Sequence, residues 1–517
     1  MAKATDAQRE VVAFLSTPAA YGLPSQSAIE RLDTHISIVW LAGECAYKLK
    51  RAVVFDYVDF STVELRHAAC EAEIDLNRRT APSLYLGVRA VTRETDGTLS
   101  LDGQGEPLDW VVEMVRFDQE ALFDRLAERR RLDLALMDGL ADAIARLHAI
   151  AERRTDRGGR GGMDWVVDGN ALAFAEQIPA GTEREIGAVV TAAARAAIDR
   201  HAGLLESRRL QGSVRKCHGD LHLRNICLLD GVPTLFDGVE FNDDISCVDV
   251  FYDLAFLLMD LWRRGLKRHA NLVFNSYLIQ TIDLGALPLL PLFLSCRAAV
   301  RAKTSATAAR RQPQGPRTGE LQAATQEYLV LAETLLRPAP PCLVAIGGFS
   351  GSGKSTLALQ LAHRVGAAPG ALILRSDVIR KQQLGVEPLT RLGAKAYLPD
   401  VSRHVYQTIG ERARAALAAG HGVIADAVYA SPEERDAIAA VARDLSVPFL
   451  GLWLDAPPSL LVKRLSARRA DVSDATPAVL DLQMQSGAGL VAWPRIDASA
   501  DMKTVESVAE RFVKELR

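Results

Sequence analysis

Residues 218–225 read HGDLHLRN, and residues 236–238 read FDG. Between them lie a short apolar run, ICLL, a turn-forming Asp230-Gly231 pair and a second apolar run, VPTL. Two strands joined by so short a turn form a hairpin. Folding it back brings Asp220 and Asn225, at one end, beside Asp237 at the other. Such a trio supplies one proton acceptor and two oxygen ligands for Mg²⁺, a hard cation held through few protein groups plus phosphate oxygens. Asp220 is therefore the candidate general base, and Asn225 and Asp237 are the candidate metal ligands.

Upstream, SIVWLAG (37–43) and CAYKLKRAVV (45–54) read as two strands joined by a short turn, STVELRHAACEAEIDLNRR (61–79) as a helix, and DWVVEMVRF (109–117) as a further strand. Lys48 and Lys50 fall on one face of their strand because side chains alternate. Lys48 is the candidate phosphate clamp, paired with Glu73 on the following helix, with Glu71 as the second choice. Lys50 reads as an ordinary exposed strand lysine. The strand 111–117 would offer backbone bonds to a nucleotide base near Glu113 and Val115. After it helical patterns dominate, so the order is a strand-rich lobe over about 1–117 and a helical lobe over about 118–337.

A second phosphate-handling device lies at 347–356, GGFSGSGKST. It matches G-x4-G-K-[ST] between an apolar strand and a helical segment, the context that gives this pattern its meaning. Gly348, Ser350, Gly351, Ser352, Gly353, Lys354, Ser355 and Thr356 would wrap a nucleotide's phosphates with backbone N–H groups at a helix N-terminus. Lys354 would reach the β/γ-phosphates and Ser355 would ligate Mg²⁺. The runs CLVAIGG, ALILRSD, GVIADAV and VPFLGLWLD alternate with helical stretches, which predicts a parallel sheet. Asp377, at the end of the second run, faces the crevice where ligands bind and can take a proton from an attacking hydroxyl. Arg380 would hold an anion or orient the acceptor, and Asp426 would hold Mg²⁺ through water. The stretch RRQPQGPRTGE (310–320) reads as a surface loop, followed by a helix over 320–336. The prolines at 338, 340 and 341 mark a connector, which places the two domains at 1–337 and 341–517.

These motifs carry two resemblances. HGDLHLRN, FDGVEF and DVFYDLAFLLMDL (249–261) resemble the catalytic loop, the metal strand and a helix with a structural aspartate, here Asp253, of the aminoglycoside phosphotransferase and choline-kinase-like group. That group has a bilobal protein-kinase-like fold. The segment 341–517 looks like the P-loop kinases that include gluconate kinase, polynucleotide 5′-hydroxyl kinase and zeta-toxin-like enzymes. There the strand-end aspartate is usually the base, which implies that role for Asp377; Arg464, Arg468 and Arg469 resemble the lid arginines that close over the γ-phosphate. The whole arrangement resembles bacterial fusions of an aminoglycoside phosphotransferase-like domain with a P-loop ATP-binding domain. The fold class expected is α/β and α+β in two domains: N-terminal bilobal kinase-like, C-terminal P-loop NTPase with a parallel sheet. One departure is that no G-x-G-x-x-G precedes Lys48, only LAGE (41–44).

Composition narrows the rest. The chain has 517 residues, 49% hydrophobic and 24% charged, with net charge −3. That balance offers no reason to expect nucleic acid or an anionic membrane as partner. The longest nearly uncharged run, LGALPLLPLFLSC (284–296), is short of a membrane span and contains two prolines. The seven cysteines have neither metal-ligand nor redox spacing, which fits reduced thiols in a cytoplasm. The helical lobe mixes Asp243, Asp244 and Asp249 with Arg263, Arg264, Lys267, Arg297, Arg301 and Lys303, so it does not advertise a site for a polycation.

The expected activity is tandem phosphotransfer, with each domain binding ATP and Mg²⁺ and passing the γ-phosphoryl group to a hydroxyl of a small metabolite. One alternative makes one domain a nucleotide-sensing regulator of the other. The other makes the P-loop domain a 5′-hydroxyl kinase for nucleic acid.

Overall fold

The computed structural model describes residues 6–55, 57–467 and 473–516. The chain forms two compact units, Met1–Val166 with Ile198–Leu257, and Val167–Ala197 with Leu258–Arg517.

The first unit begins with the helix Asp6–Leu15 (α1) and carries a six-stranded antiparallel sheet. Its strands are Ile29–Asp33 (β1), Ser37–Ala42 (β2), Cys45–Lys50 (β3), Tyr85–Arg93 (β4), Leu99–Leu101 (β5) and Glu106–Val115 (β6), in the order β1-β2-β3-β6-β4-β5. The two expected central strands and the strand near 109–117 are present; β1, β4 and β5 extend the sheet beyond them. Helix Val63–Asn77 (α2) starts where the Thr62 hydroxyl accepts the Leu65 N–H, a side-chain N-cap. Alternation divides the sheet's side chains between two layers. Trp40, Tyr47, Leu49 and Val111 pack with Val11 and Leu15 of α1. Val112 instead joins Cys70 and Ile74 of α2. Lys48 and Lys50 therefore leave β3 on the α2 side.

Below the sheet in sequence come helix Leu136–Ile150 (α3) and strands Val214–Lys216 (β7), Ile226–Leu229 (β8), Val232–Leu235 (β9) and Cys247–Asp249 (β10), then helix Val250–Arg263 (α4). β8 and β9 form the expected hairpin, turning through Asp230 and Gly231 at φ 50° and 78°. That left-handed pair is the geometry of a two-residue turn matched to strand twist. β7 pairs with β10, so HGDLHLRN leaves one short ladder and enters the next.

The second unit holds a five-stranded parallel sheet: Leu343–Gly347 (β11), Leu372–Arg375 (β12), Val423–Asp426 (β13), Phe449–Asp455 (β14) and Arg495–Asp497 (β15), in the order β12-β13-β11-β14-β15. Strand order reverses at β11, and the carboxyl ends at such a point are where these sheets take ligands. Val344, Ile346, Leu357, Leu361, Ile424, Leu452 and Leu454 form its core.

Helix Lys267–Thr281 (α5) also belongs to this unit. So does the apolar stretch Leu284–Arg311, long and apolar enough by composition to cross a membrane, yet 67% buried over its most apolar window. It packs on the helix Pro316–Leu335, where the Ser295 hydroxyl donates to the Ala332 carbonyl at 2.8 Å. The segment read as a loop over 310–320 is thus mostly helical, leaving only 312–315 between the two helices. Pro316 sits in the first helical turn, where its missing N–H costs nothing.

Candidate active sites

In the first unit, charge converges on Glu73. Lys48 Nζ lies 2.8 Å from Glu73 Oε1 and 2.5 Å from Asp237 Oδ1. Lys50 pairs with the other Glu73 oxygen and with Glu240. Lys50 is 1% exposed, so the exposed strand lysine expected from the sequence is in fact a buried member of the network. The reason is that both lysines share the α2 side of β3 and Glu73 has two oxygens to offer. Burial opposes charge on Glu73, but the two ammonium groups outweigh it and hold the carboxyl at about 2. Burial also works against both lysines, and the surrounding carboxylates reverse that effect and leave them raised. Glu240 goes the other way, burial prevailing over Lys50. Glu71 takes no part; it is exposed and faces His67 at 3.5 Å.

The loop 218–225 is held from behind by Asp253 of α4. Its Oδ1 accepts the Gly219 N–H at 2.8 Å, and its Oδ2 accepts the His218 N–H at 3.2 Å and lies 3.2 Å from His148 Nε2 of α3. His148, Cys217 and Asp253 bring their ligand atoms within 4.8 Å of one another, a grouping accounted for by this anchoring. Gly219 has φ +83°, and a Cβ there would stand 3.2 Å from Ile245 O and Ser246 Cα, so any side chain at this point of the loop is both strained and crowded. Asn225 Nδ2 donates both to the Asp220 carbonyl and to Asp220 Oδ2, each at 2.9 Å. His222 Nε2 is 3.3 Å from the same Asp220 oxygen.

The hairpin returns alongside, with the Phe236 N–H donating to the Asn225 carbonyl. Asp237 then adopts φ +59°, a left-handed conformation costing on the order of 1 kcal/mol for a non-glycine residue. Its N–H donates to Tyr85 Oη at 3.1 Å, and the Gly238 N–H to Asn77 Oδ1 at 2.8 Å. These bonds hold the strained turn and aim the Asp237 carboxylate at Lys48. Asp220, Asn225, Asp237, Lys48 and Glu73 are thus gathered. The strand end near Glu113 and Val115 is more occupied than its sequence suggests. The Val115 N–H donates to Leu84 O and the Arg116 N–H to Glu44 O, both at 2.8 Å. The Glu113 carboxylate accepts from Tyr47 Oη at 2.9 Å and meets Arg89 Nε at 3.0 Å.

In the second unit, residues 348–353 link β11 to helix Lys354–Leu361 (α6). Gly351 has φ +85°, and a Cβ on it would meet Leu461 O at 2.9 Å, so the loop lies directly on the later helix Pro458–Ala467. Ser352 Oγ is buried without a hydrogen-bond partner among the described residues. A phosphate oxygen fits such an orphaned hydroxyl. Lys354 Nζ donates to the Phe349 carbonyl at 3.1 Å, and the Ser355 hydroxyl to Asp426 Oδ2 at 2.6 Å. Burial raises the Asp426 carboxyl, with Asp377 adding to the effect and Arg375 and Lys354 opposing it. The side chains expected to share a metal therefore do meet. Thr356 is exposed on α6, and the Ser350 N–H donates to Gln483 Oε1 at 3.0 Å.

Helix Ser376–Gln383 (α7) follows β12 directly and carries Asp377 in its first turn. The Asp377 charge is felt by both Asp426 and Tyr397. Arg380 is buried; it donates to the Ala396 carbonyl at 2.7 Å and stacks 4.6 Å from the Tyr397 ring. Arg464 donates to the Ala498 carbonyl at 2.8 Å; Arg468 and Arg469 lie outside the described residues. Glu240, Asn77, Tyr85 and Gln483 were not anticipated. Glu240 had a signal, since it stands three residues after Asp237, between Val239 and Phe241; the others are ordinary residues on distant elements.

A family model described as a phosphotransferase enzyme family matches residues 60–285, and one described as an AAA domain matches residues 343–489. The uncharacterized protein Rv2004c of Mycobacterium tuberculosis is 30% identical over 465 residues, covering 88% of this chain and 90% of that protein. The uncharacterized protein Mb2027c of Mycobacterium bovis matches to the same extent. Among solved structures, a choline/ethanolamine kinase family protein from Mesorhizobium loti aligns at 12% identity and TM-score 0.37, over 63% of this chain and 99% of that one. A sugar kinase from Janibacter sp. aligns at 21% identity and TM-score 0.26, over 34% of this chain and 95% of that one. Kinship along nearly the whole length, with a phosphotransferase-family domain ahead of a P-loop domain, places the chain in the family of the mycobacterial protein, as a two-domain ATP-dependent kinase.

Proposed function

We propose that both domains transfer the γ-phosphoryl group of ATP to a hydroxyl of a small metabolite. The observation that carries this reading is that each unit sets a carboxylate beside a cluster suited to phosphates and a divalent cation. In the first, Asn225 ties Asp220 in place while Lys48 meets Asp237. In the second, Ser355 meets Asp426, and Asp377 lies close enough to raise that carboxyl.

Mg²⁺, when bound, would neutralise charge on the phosphates. In the first site Asn225 spends its Nδ2 on Asp220, so Oδ1 is the ligand atom it offers beside Asp237. Lys48 leans on the phosphates from the sheet side. In the second, Ser355 and Asp426 would hold the cation, and Lys354 with the N–H groups of 348–356 would hold the phosphates. In either site the acceptor oxygen forms its bond to the γ-phosphorus as its proton passes to Asp220 or Asp377. The bond to the β-phosphate oxygen breaks, and ADP leaves with that electron pair. The acidic residues with the charge to draw a polycation are themselves engaged. Asp243 pairs with Arg154, Asp244 with Arg157, and Asp249 with Arg208. The acceptor of the first domain is accordingly not read as an aminoglycoside.

The test is a metabolite extract incubated with γ-labelled ATP and full-length wild type, Asp220→Ala or Lys354→Ala. Each variant should lose one class of labelled product and keep the other. If both variants give every product that wild type gives, tandem transfer is wrong.

A further inference from the structure

β12, the strand that leads to Asp377, is an edge strand, hydrogen-bonded only to β13 within its sheet. In a parallel ladder, a neighbouring residue takes the carbonyl before and the N–H after the residue it faces. On its sheet side β12 does this normally, and the Leu372 N–H donates to Gly422 O at 2.9 Å. On its outer side no strand lies among the described residues, and the side chain of Asn275, on α5, takes that place. Asn275 Oδ1 accepts the Ile373 N–H at 2.7 Å, and its Nδ2 donates to the Ala371 carbonyl at 3.1 Å. Those are the groups flanking Leu372 that a further parallel strand would engage. Asn271, one turn earlier, donates to the Pro369 and Ala371 carbonyls at 3.2 and 3.1 Å. Both asparagines are buried, so these bonds are made out of water.

The same helix also holds the far side of Asp377. Gln382, near the end of α7, donates from Nε2 to the Ile279 carbonyl of α5 at 2.6 Å, and its Oε1 accepts from Arg412 at 2.7 Å. Asp377 thus sits between two anchors, Ile373 before it and Gln382 after it, both on α5. Helix α5 itself lies within the residues matched by the phosphotransferase family, outside the AAA match.

We infer that Asn275 is a positioning residue for the P-loop site, setting the place of Asp377 through β12. The inference rests on Asp377 being the base of that site. It makes turnover at the P-loop site depend on a helix outside the residues the AAA model matches, while the phosphate cradle is borne by β11 and α6, to which Asn275 makes no hydrogen bond among the described residues.

The experiment uses the full chain with Asp220→Ala to silence the first site and Lys48→Ala to keep nucleotide from it, and MgATP with water as the acceptor. Asn275→Leu keeps the shape and removes both bonds to β12; Asn275→Asp keeps only the acceptor. Asn275→Leu should lower the hydrolysis rate at least about tenfold, the scale set by small misplacements of reacting groups, and leave the MgATP Kd within about twofold. Asn275→Asp should fall between it and wild type. Gln382→Leu, which removes the second anchor, should repeat the split between rate and Kd and serves if Asn275→Leu does not fold. A melting temperature that drops with rate and Kd unchanged refutes positioning, as does a parallel loss of rate and affinity. Asp377→Asn separates the two readings. If it lowers hydrolysis and the Asn275 variants do not, only the positioning fails. If Asp377→Asn leaves hydrolysis unchanged, the base assignment fails and the positioning falls with it.

Discussion

Lys48 Nζ lies 2.8 Å from Glu73 Oε1, and Glu73 is completely buried beneath the sheet. A carboxylate there survives only because Lys48 and Lys50 both reach it. Removing it would leave two ammonium groups facing Glu240 and the half-exposed Asp237. Breaking a buried network from one side costs about 3–5 kcal/mol. Urea unfolding of Glu73→Ala should show a loss of that size, together with weaker nucleotide binding at the first site. Because the folded carboxyl is held at about 2, its contribution is present above the ordinary glutamate value and is lost as pH falls through about 2.

Asp253 offers a separate test, since it touches no reacting group. Its carboxylate accepts the N–H groups of His218 and Gly219. Asp253→Asn puts an NH₂ where one of those oxygens stood, so at least one N–H faces a donor. The loop then shifts, and a shift of about 1 Å in a reacting group lowers turnover by about a hundredfold. Product formation that needs Asp220 should drop on that scale in Asp253→Asn, with products needing Lys354 unchanged.

What the sequence discloses about these sites depends on how local the chemistry is. HGDLHLRN and its hairpin, the loop 348–356, Asp377 just past β12 and Asp426 at the end of β13 could be located directly, because their partners are near in sequence or fixed by a repeating strand pattern. The burial of Lys50 was hidden, since Glu240 is 190 residues away. Gln483 on the Ser350 N–H is 133 residues away and carries no pattern of its own. Arg464 shows a different limit: its lid role is implied by resemblance alone, and in the structure its guanidinium donates to the Ala498 carbonyl. Asn275 belongs to the same class, because its meaning comes from an unpaired strand edge contributed by another part of the chain.

Acid should weaken the second unit through His421. This side chain is buried, with Nε2 2.9 Å from the Gly370 carbonyl and its ring beside Phe274. Burial holds its pKa down at about 4 despite that carbonyl. An unfolded histidine takes a proton near 6.5, so below that pH the unfolded chain binds more protons than the folded one. Stability therefore falls as pH drops from about 6.5 to about 4. At about 1.4 kcal/mol per pH unit, the loss is about 3 kcal/mol. Chemical denaturation across this range should show the slope in wild type and a flatter one in His421→Gln; equal slopes would rule it out.

Mg²⁺ binding at the P-loop site should also follow pH, for a different reason. The Ser355 hydroxyl donates to Asp426 at 2.6 Å, and burial raises the Asp426 carboxyl. A cation needs that group ionised, so binding releases a proton wherever Asp426 is partly protonated. Metal-dependent nucleotide affinity should therefore begin to fall, on acidification, at a higher pH than for an ordinary aspartate. Asp426→Asn removes the charge and should abolish this dependence along with most of the Mg²⁺ requirement. Ser355→Ala keeps the charge, so it should weaken affinity yet retain the pH response. Calorimetric titration of MgATP at several pH values, run in a Lys48→Ala background to leave only the P-loop site, distinguishes these behaviours. A pH response that persists unchanged in Asp426→Asn would show that another group governs the metal.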